Sequence, residues 1–180
     1  MHEYPSPSGG YGGGFIQWAY DENHEPYNSC GNGSAMRVAP CACVSDNVKD
    51  IISTAITSAM PTHNHPEGIK GAAITAVCVW LALHNASKNA ILNYALSCYT
   101  PKNSLVNLNL SLSEISDEAR KIMLEQHISI YSICQGTVPM AIRAFYESSN
   151  YEDCLKKAIE LGYDNSNQLS RLSFGTLVEI

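Results

Sequence analysis

The run from Pro66 to Leu83 constrains the fold more than any other part of the chain. Proline suits the first turn of a helix, because its φ is preset and its missing N–H is one that a helix start leaves unbonded. Behind it Ala72, Ala73, Ala76, Val77, Trp80, Leu81 and Leu83 recur at helical spacing, yet the apolar residues are not confined to one stripe. A helix that is small and apolar on several sides has to be enclosed by other helices. Its most apolar part, Gly71–Leu83, is shorter than the roughly 18 residues a spanning helix needs, so it predicts a core helix and no membrane partner.

The neighbouring segments supply helices to enclose it. Val48, Ile51, Ile52, Ala55, Ile56 and Ala59 fall three and four apart, with Ser45 as the N-cap and Pro61 as the stop. Further helices are expected over Ser87–Ser97 and Glu114–Gln126. Another should open at Pro139 and run through Ala141, Ile142, Ala144 and Phe145. Asn150 and Asp153 form a capping pair for a helix ending at Gly162, and a last short helix covers Gln168–Ile180. Tyr99–Ser113 reads as a loop. Pro5–Gly14 is rich in Gly, Ser and Pro without hydrophobic period and reads as a loop or flexible arm, anchored by Phe15, Trp18 and Tyr20. No strand series and no internal repeat appear. The expectation is an all-α helical bundle in one domain over residues 1–180, with 1–14 as a flexible Gly-rich loop; 180 residues suit one domain with a real core.

Composition narrows the function classes. With 45% hydrophobic and 16% charged residues the chain has the make-up of a folded protein. A net charge of -6 argues against a general nucleic-acid or polyanion binder. One small anionic ligand remains compatible, because backbone N–H groups bind phosphate without basic side chains. Seven cysteines at irregular spacing, with no secretory leader, point to a reduced, cytoplasmic protein rather than a disulfide framework.

Two phrases carry chemistry. Gly31-Asn32-Gly33-Ser34-Ala35-Met36-Arg37 is a small-residue turn in which glycine permits positive φ and close approach of a ligand, consecutive N–H groups form an anion-binding concavity, and Ser34 adds a hydroxyl donor. An ordinary turn between two helices explains the same residues, but the extension through Met36-Arg37 and a second motif favour the anion reading. That second motif is Thr62-His63-Asn64-His65-Pro66-Glu67-Gly68-Ile69-Lys70-Gly71. His63, just before a helix N-terminus, can donate to a phosphate or ribose oxygen, while His65 and Glu67 cap the turn. The pair His63 and His65, with Glu67 or with Cys41 and Cys43, also spells a zinc set, but no zinc is expected. Gly9–Gly14 is a second candidate phosphate or nucleotide loop, with Tyr11 or Phe15 placed to lie against an adenine ring; composition alone favours a disordered tail. Asp164, Ser166 and Asn167 make an oxygen-rich loop suited to Mg2+, although one carboxylate is a poor cage.

Taken in order, Gly10-Tyr11-Gly12-Gly13, Gly31–Pro40, Thr62–Ala72, Cys134-Gln135-Gly136-Thr137-Val138-Pro139 and the tail Ala158-Ile159-Glu160-Leu161-Gly162 resemble the ADP-ribosylglycohydrolase family, of the dinitrogenase-reductase-activating and ADP-ribosylarginine hydrolase type. The resemblance covers nearly the whole chain. It implies an all-α fold, two Mg2+ ions and release of ADP-ribose from arginine, serine, other acceptors or small molecules. Residue by residue it implies that Asn32, Gly33, Ser34, Ala35, Met36 and Arg37 hold the diphosphate and proximal ribose, that His63 contacts the same ligand, that Gly10, Tyr11 and Gly12 lie along the ADP part, and that Cys134–Pro139 shapes the pocket wall. Asp164 and Asn167 would be the metal ligands, with Ser166 in place of Asn167 under the other alignment.

Two departures qualify the activity. The family begins with a segment carrying a Thr-Asp-Asp metal motif, and nothing like it precedes Met1-His2-Glu3. Where its second motif reads Gly-Gly-Asp-Ser-Asp-Thr, this chain reads Gly162-Tyr163-Asp164-Asn165-Ser166-Asn167-Gln168, with one carboxylate. The expectation is therefore a truncated member that binds ADP-ribose with impaired Mg2+-dependent hydrolysis and no assignable catalytic residue. The alternatives are a non-catalytic ADP-ribose or nucleotide-binding pseudoenzyme and a structural module. A homo-oligomer contact would cover the surface that the absent helices leave.

Overall fold

Helix α4, Pro66–Leu83, runs through the middle of the molecule and meets apolar neighbours on both sides. The computed structural model describes residues 11–100 and 102–163. Gly10, Asp164, Asn167, the loop around them and the expected helix over Gln168–Ile180 lie outside the described residues. On one side of α4, Ala72, Ala76 and Val77 pack with Val38 and with Ile51, Ala55 and Ala59 of α3, Val48–Ala59. On the other, Ile74 and Cys78 join a larger cluster that includes Ile91, Leu108, Ile115, Val138 and Met140. Apolarity all round the helix is thus used up on two faces. At 18 residues and a mean hydropathy of 1.3, α4 has the length and composition of a membrane span, longer than its Gly71–Leu83 part suggested. Half of that stretch is buried against neighbouring helices, which accounts for its composition.

The other elements are α1 (Gly13–Tyr20), α2 (Gly33–Met36), α5 (Lys88–Cys98), α6 (Leu112–Gln126), α7 (Cys134–Glu147) and α8 (Tyr151–Tyr163), with 3-10 turns at Ala39–Cys43 and Ile130–Ser132. Among the described residues there is no strand; an isolated antiparallel bridge joins Gly31 and Ile133. The all-α expectation holds.

Local rules set most helix starts. Ser87 caps α5 through Ala90 N–H, and Ser111 caps α6 in a full capping box with Glu114. Asn150 accepts from Asp153 N–H at 3.0 Å, as its spacing suggested. Three expectations need correction. The cap of α3 is Asn47, whose Oδ1 accepts from Lys49 N–H; Ser45 lies two residues earlier, where its hydroxyl accepts from Asn47 N–H and donates to Asp50. Gly13 and Gly14, read as loop, belong to α1. The rings of Phe15 and Trp18 stack at 5.7 Å, Trp18 donates to the His24 carbonyl, and Gly14 lets the backbone lie on the Tyr27 ring. Finally, α7 opens at Cys134 and not at Pro139. The Ile133 carbonyl accepts from both the N–H and the hydroxyl of Thr137 and nucleates the turn ahead of the proline. Pro139 is buried inside the helix, and tertiary packing offsets the hydrogen bond it cannot donate.

Helix α7 touches α4, α5, α6 and α8. Its buried Arg143 donates to the Leu108 carbonyl and pairs with Glu147, whose carboxylate accepts Leu112 N–H at the start of α6. That side-chain network fastens the long 99–111 loop, a tie that no periodicity announces.

Candidate functional site

The Gly31–Arg37 turn lies between two clasps. From α7 and the turn before it, Ser132 accepts the N–H of Asn32 at 2.9 Å, and Cys134 donates its own N–H to the Cys30 carbonyl at 3.0 Å. The Asn32 side chain is buried and donates to the Tyr131 carbonyl and to the Thr137 hydroxyl. From the other side, the loop before α4 binds the strand-like stretch ahead of the turn: Ser29 N–H reaches the Thr62 carbonyl and Asn28 N–H reaches Asn64 Oδ1. Both elements of the sequence pattern therefore meet at one place.

The residues of the turn have divided roles. Ser34 is 1% exposed, and its one proton goes to the Gly68 carbonyl at 2.8 Å, so it ties α2 to α4 rather than offering a donor outward. Ala35 is buried in the larger apolar cluster and Met36 is half-buried. Arg37 turns its guanidinium to the Ser58 carbonyl and the Thr62 hydroxyl, both at 2.9 Å. The N–H groups of Gly33 and Ser34 stand in the first turn of α2, which offers them no intrahelical acceptor, and they have no other partner among the described residues.

His63 packs against that turn. Its backbone N–H bonds to the Ala59 carbonyl and its Nδ1 lies 2.7 Å from the Thr62 hydroxyl. A Cβ placed on Gly33 would lie 3.0 Å from Nε2, and one on Gly31 3.5 Å from it. Neither glycine adopts a positive φ. The small residues serve close approach of the imidazole, not an unusual backbone angle. His63 is 8% exposed, and burial first, then the charge of Arg37, pushes its pKa down to about 4. The ring is neutral at physiological pH and keeps one donor nitrogen and one acceptor nitrogen.

His65 does something else. Its Nδ1 accepts from Glu67 N–H as the N-cap of α4, with Pro66 behind it and Glu67 paired to Lys70 at 3.6 Å. The two imidazoles do not converge, and Cys41 and Cys43 sit in the 3-10 turn with one buried and one exposed. Among the described residues no three His, Cys, Asp or Glu side chains gather as a metal site. All seven cysteines are free.

Tyr11 and Gly12 lie at the start of α1. Tyr11 packs on Phe15, Gly14 rests on Tyr27, and the Tyr27 ring is 6.3 Å from that of His63. Sequence reading missed Thr62 as a partner of both Arg37 and His63, and Thr137 as the anchor of Asn32. Their only signal is membership in the matched segments Thr62–Ala72 and Cys134–Pro139.

The arrangement offers two backbone N–H groups and one imidazole nitrogen, brought close together because Gly33 carries no side chain. It suits an oxyanion such as phosphate, and among the described residues no carboxylate set gathers as a metal site. A family model described as ADP-ribosylglycohydrolase matches residues 4–167.

Proposed function

The chain belongs to the ADP-ribosylglycohydrolase family, and from that premise we propose that its Gly31–Ser34 turn and His63 bind the diphosphate and proximal ribose of ADP-ribose, with hydrolysis impaired. One observation carries the binding reading: the N–H groups of Gly33 and Ser34, without a partner among the described residues, lie in the turn that His63 Nε2 approaches closely because Gly33 has no side chain. Fixed N–H donors in a partly dry site stabilise an oxyanion without reorganising. The neutral His63 adds a donor without the cost of a buried charge. Arg37 contributes positive charge from behind, through Thr62, while remaining bound to protein oxygen.

The family is metal-dependent. A divalent cation such as Mg2+ would supply Lewis-acid polarisation and activation of water. The described residues do not by themselves fit one, since they gather no carboxylate set, and the candidate ligands Asp164 and Asn167 lie outside them. The impairment reading rests on the stretch Gly162–Gln168, where Asp164 is the single carboxylate; amide and hydroxyl oxygens replace charge poorly around a hard cation.

Titration of ADP-ribose into the protein should give measurable heat and a raised Tm. Absence of any response at millimolar ligand would overturn the binding reading. ADP-ribosylated arginine or serine peptides should show no release with excess Mg2+. Magnesium-dependent release that Asp164→Ala abolishes would overturn the impairment reading.

A further inference from the structure

We propose that Arg37 and Thr62 are positioning residues that fix which nitrogen of His63 carries the proton, so that an Nε2–H donor faces the Gly31–Gly33 turn. The inference rests on the proposed binding of an oxyanion at that turn for its consequence, and on hydrogen-bond geometry for its substance. Arg37 is held by the Ser58 carbonyl and gives a second N–H to the Thr62 oxygen, each at 2.9 Å. A guanidinium only donates, so the Thr62 oxygen is the acceptor in that pair. Thr62 is 3% exposed, and its hydroxyl has no acceptor among the described residues other than His63 Nδ1, at 2.7 Å. A buried hydroxyl proton left without an acceptor is costly, so the proton is given to Nδ1. Nδ1 is then the bare nitrogen and the ring proton resides on Nε2. The direction of the chain, Arg37 to Thr62 to His63, follows from a guanidinium that only donates and a buried hydroxyl proton whose one acceptor among the described residues is Nδ1.

The consequence is chemical selectivity. With the proton on Nε2, the ring presents a third donor next to the N–H groups of Gly33 and Ser34, matched to an oxyanion. With the proton on Nδ1, it would present a lone pair there, which repels a phosphate oxygen and suits a hydroxyl donor instead. Arg37, which belongs to the matched phrase, thus acts on the ligand through Thr62 and His63.

The test is a long-range 1H–15N spectrum of the uniformly labelled protein at neutral pH, with His63 assigned by comparison with His63→Gln. A protonated Nε2 and a bare Nδ1 are expected in the wild type. Thr62→Ser should keep both that pattern and the affinity for ADP-ribose. Thr62→Val should mix the two tautomers and weaken ADP-ribose about tenfold, the worth of one hydrogen bond. Arg37→Met should mix the tautomers in the same way and stands in if Thr62→Val does not fold. A wild-type ring protonated on Nδ1 overturns the proposal, as does a Thr62→Val protein that keeps the wild-type tautomer and affinity. If wild-type protein fails to bind ADP-ribose, the binding reading falls, while the wild-type spectrum still decides the proton's place.

Discussion

Gly33 and His63 bear most directly on binding at the scale of single residues. Adding a methyl group at Gly33 places it 3.0 Å from Nε2 and 3.2 Å from Cε1 of His63. The imidazole has to give by a few tenths of an ångström, which moves Nε2 away from the two N–H groups. Gly33→Ala is expected to weaken ADP-ribose roughly tenfold, about 1.4 kcal/mol, with little change in Tm; calorimetric titration beside thermal unfolding separates the two effects. His63 gives a second outcome, in the pH dependence of stability. Unfolded, it protonates near its ordinary value of 6.5; folded, it does so only at about 4. Between those values the unfolded chain binds more protons, so stability rises with pH. The contribution is complete above about 6.5 and is lost as the pH falls towards 4. At 1.4 kcal/mol per unit it is roughly 3 kcal/mol across that window. The stability difference between wild type and His63→Gln, followed by urea unfolding from pH 7 to pH 4, should shrink by that order. A difference that stays flat would mean that His63 protonates in the folded protein as it does in the unfolded chain.

Between elements, the decisive feature is how closely α4 and α7 approach. Gly71 on α4 stands against Cys134 at the first turn of α7, where an added Cβ would lie 2.6 Å from Sγ and 2.7 Å from Cβ. Cys134 is fully buried and its thiol reaches the Gly31 carbonyl, so it has no room to retreat. Gly71→Ala is expected to cost about 1–3 kcal/mol, the usual range for an overpacked core, read as a lower urea midpoint with unchanged slope. The same crossing shows why α7 escaped correct placement by sequence. Pro139 is a strong local signal for a helix start. The real start is set by Thr137 returning to Ile133 and by Gly136, which alone lets α7 pass the Ile130 carbonyl. Where a start depends on a side chain reaching a neighbouring backbone, the pattern was legible at Asn150 but not at Ser87 or Ser111, and at α3 it pointed to Ser45 in place of Asn47. Where a start depends on another element passing nearby, it was not legible.

Across the whole molecule, α4 is shared by the two apolar clusters, one against α3 and one against α5, α6 and α7. A helix common to both should couple them into one unfolding transition. Trp80 packs at the edge of the α3 side, and the chain has two tryptophans. In a Trp18→Phe background, urea unfolding followed by Trp80 fluorescence and by far-ultraviolet circular dichroism should therefore give coincident curves. Separated midpoints would mean that the two clusters open independently. What the sequence determined by itself was encoded in near neighbours: the all-α class, the all-round apolarity of α4, the cap on Asn150, and the two phrases that meet at the site. What only the tertiary structure decided is where the side chains of one phrase point. Asn32, Ser34 and Arg37 are almost consecutive, yet they bond to Thr137, Gly68 and Thr62, which lie 105, 34 and 25 residues away. A short polar side chain takes whichever partner the packing brings within 3 Å. That partner is set by how α4 and α7 close around the turn, not by the residues on either side of it.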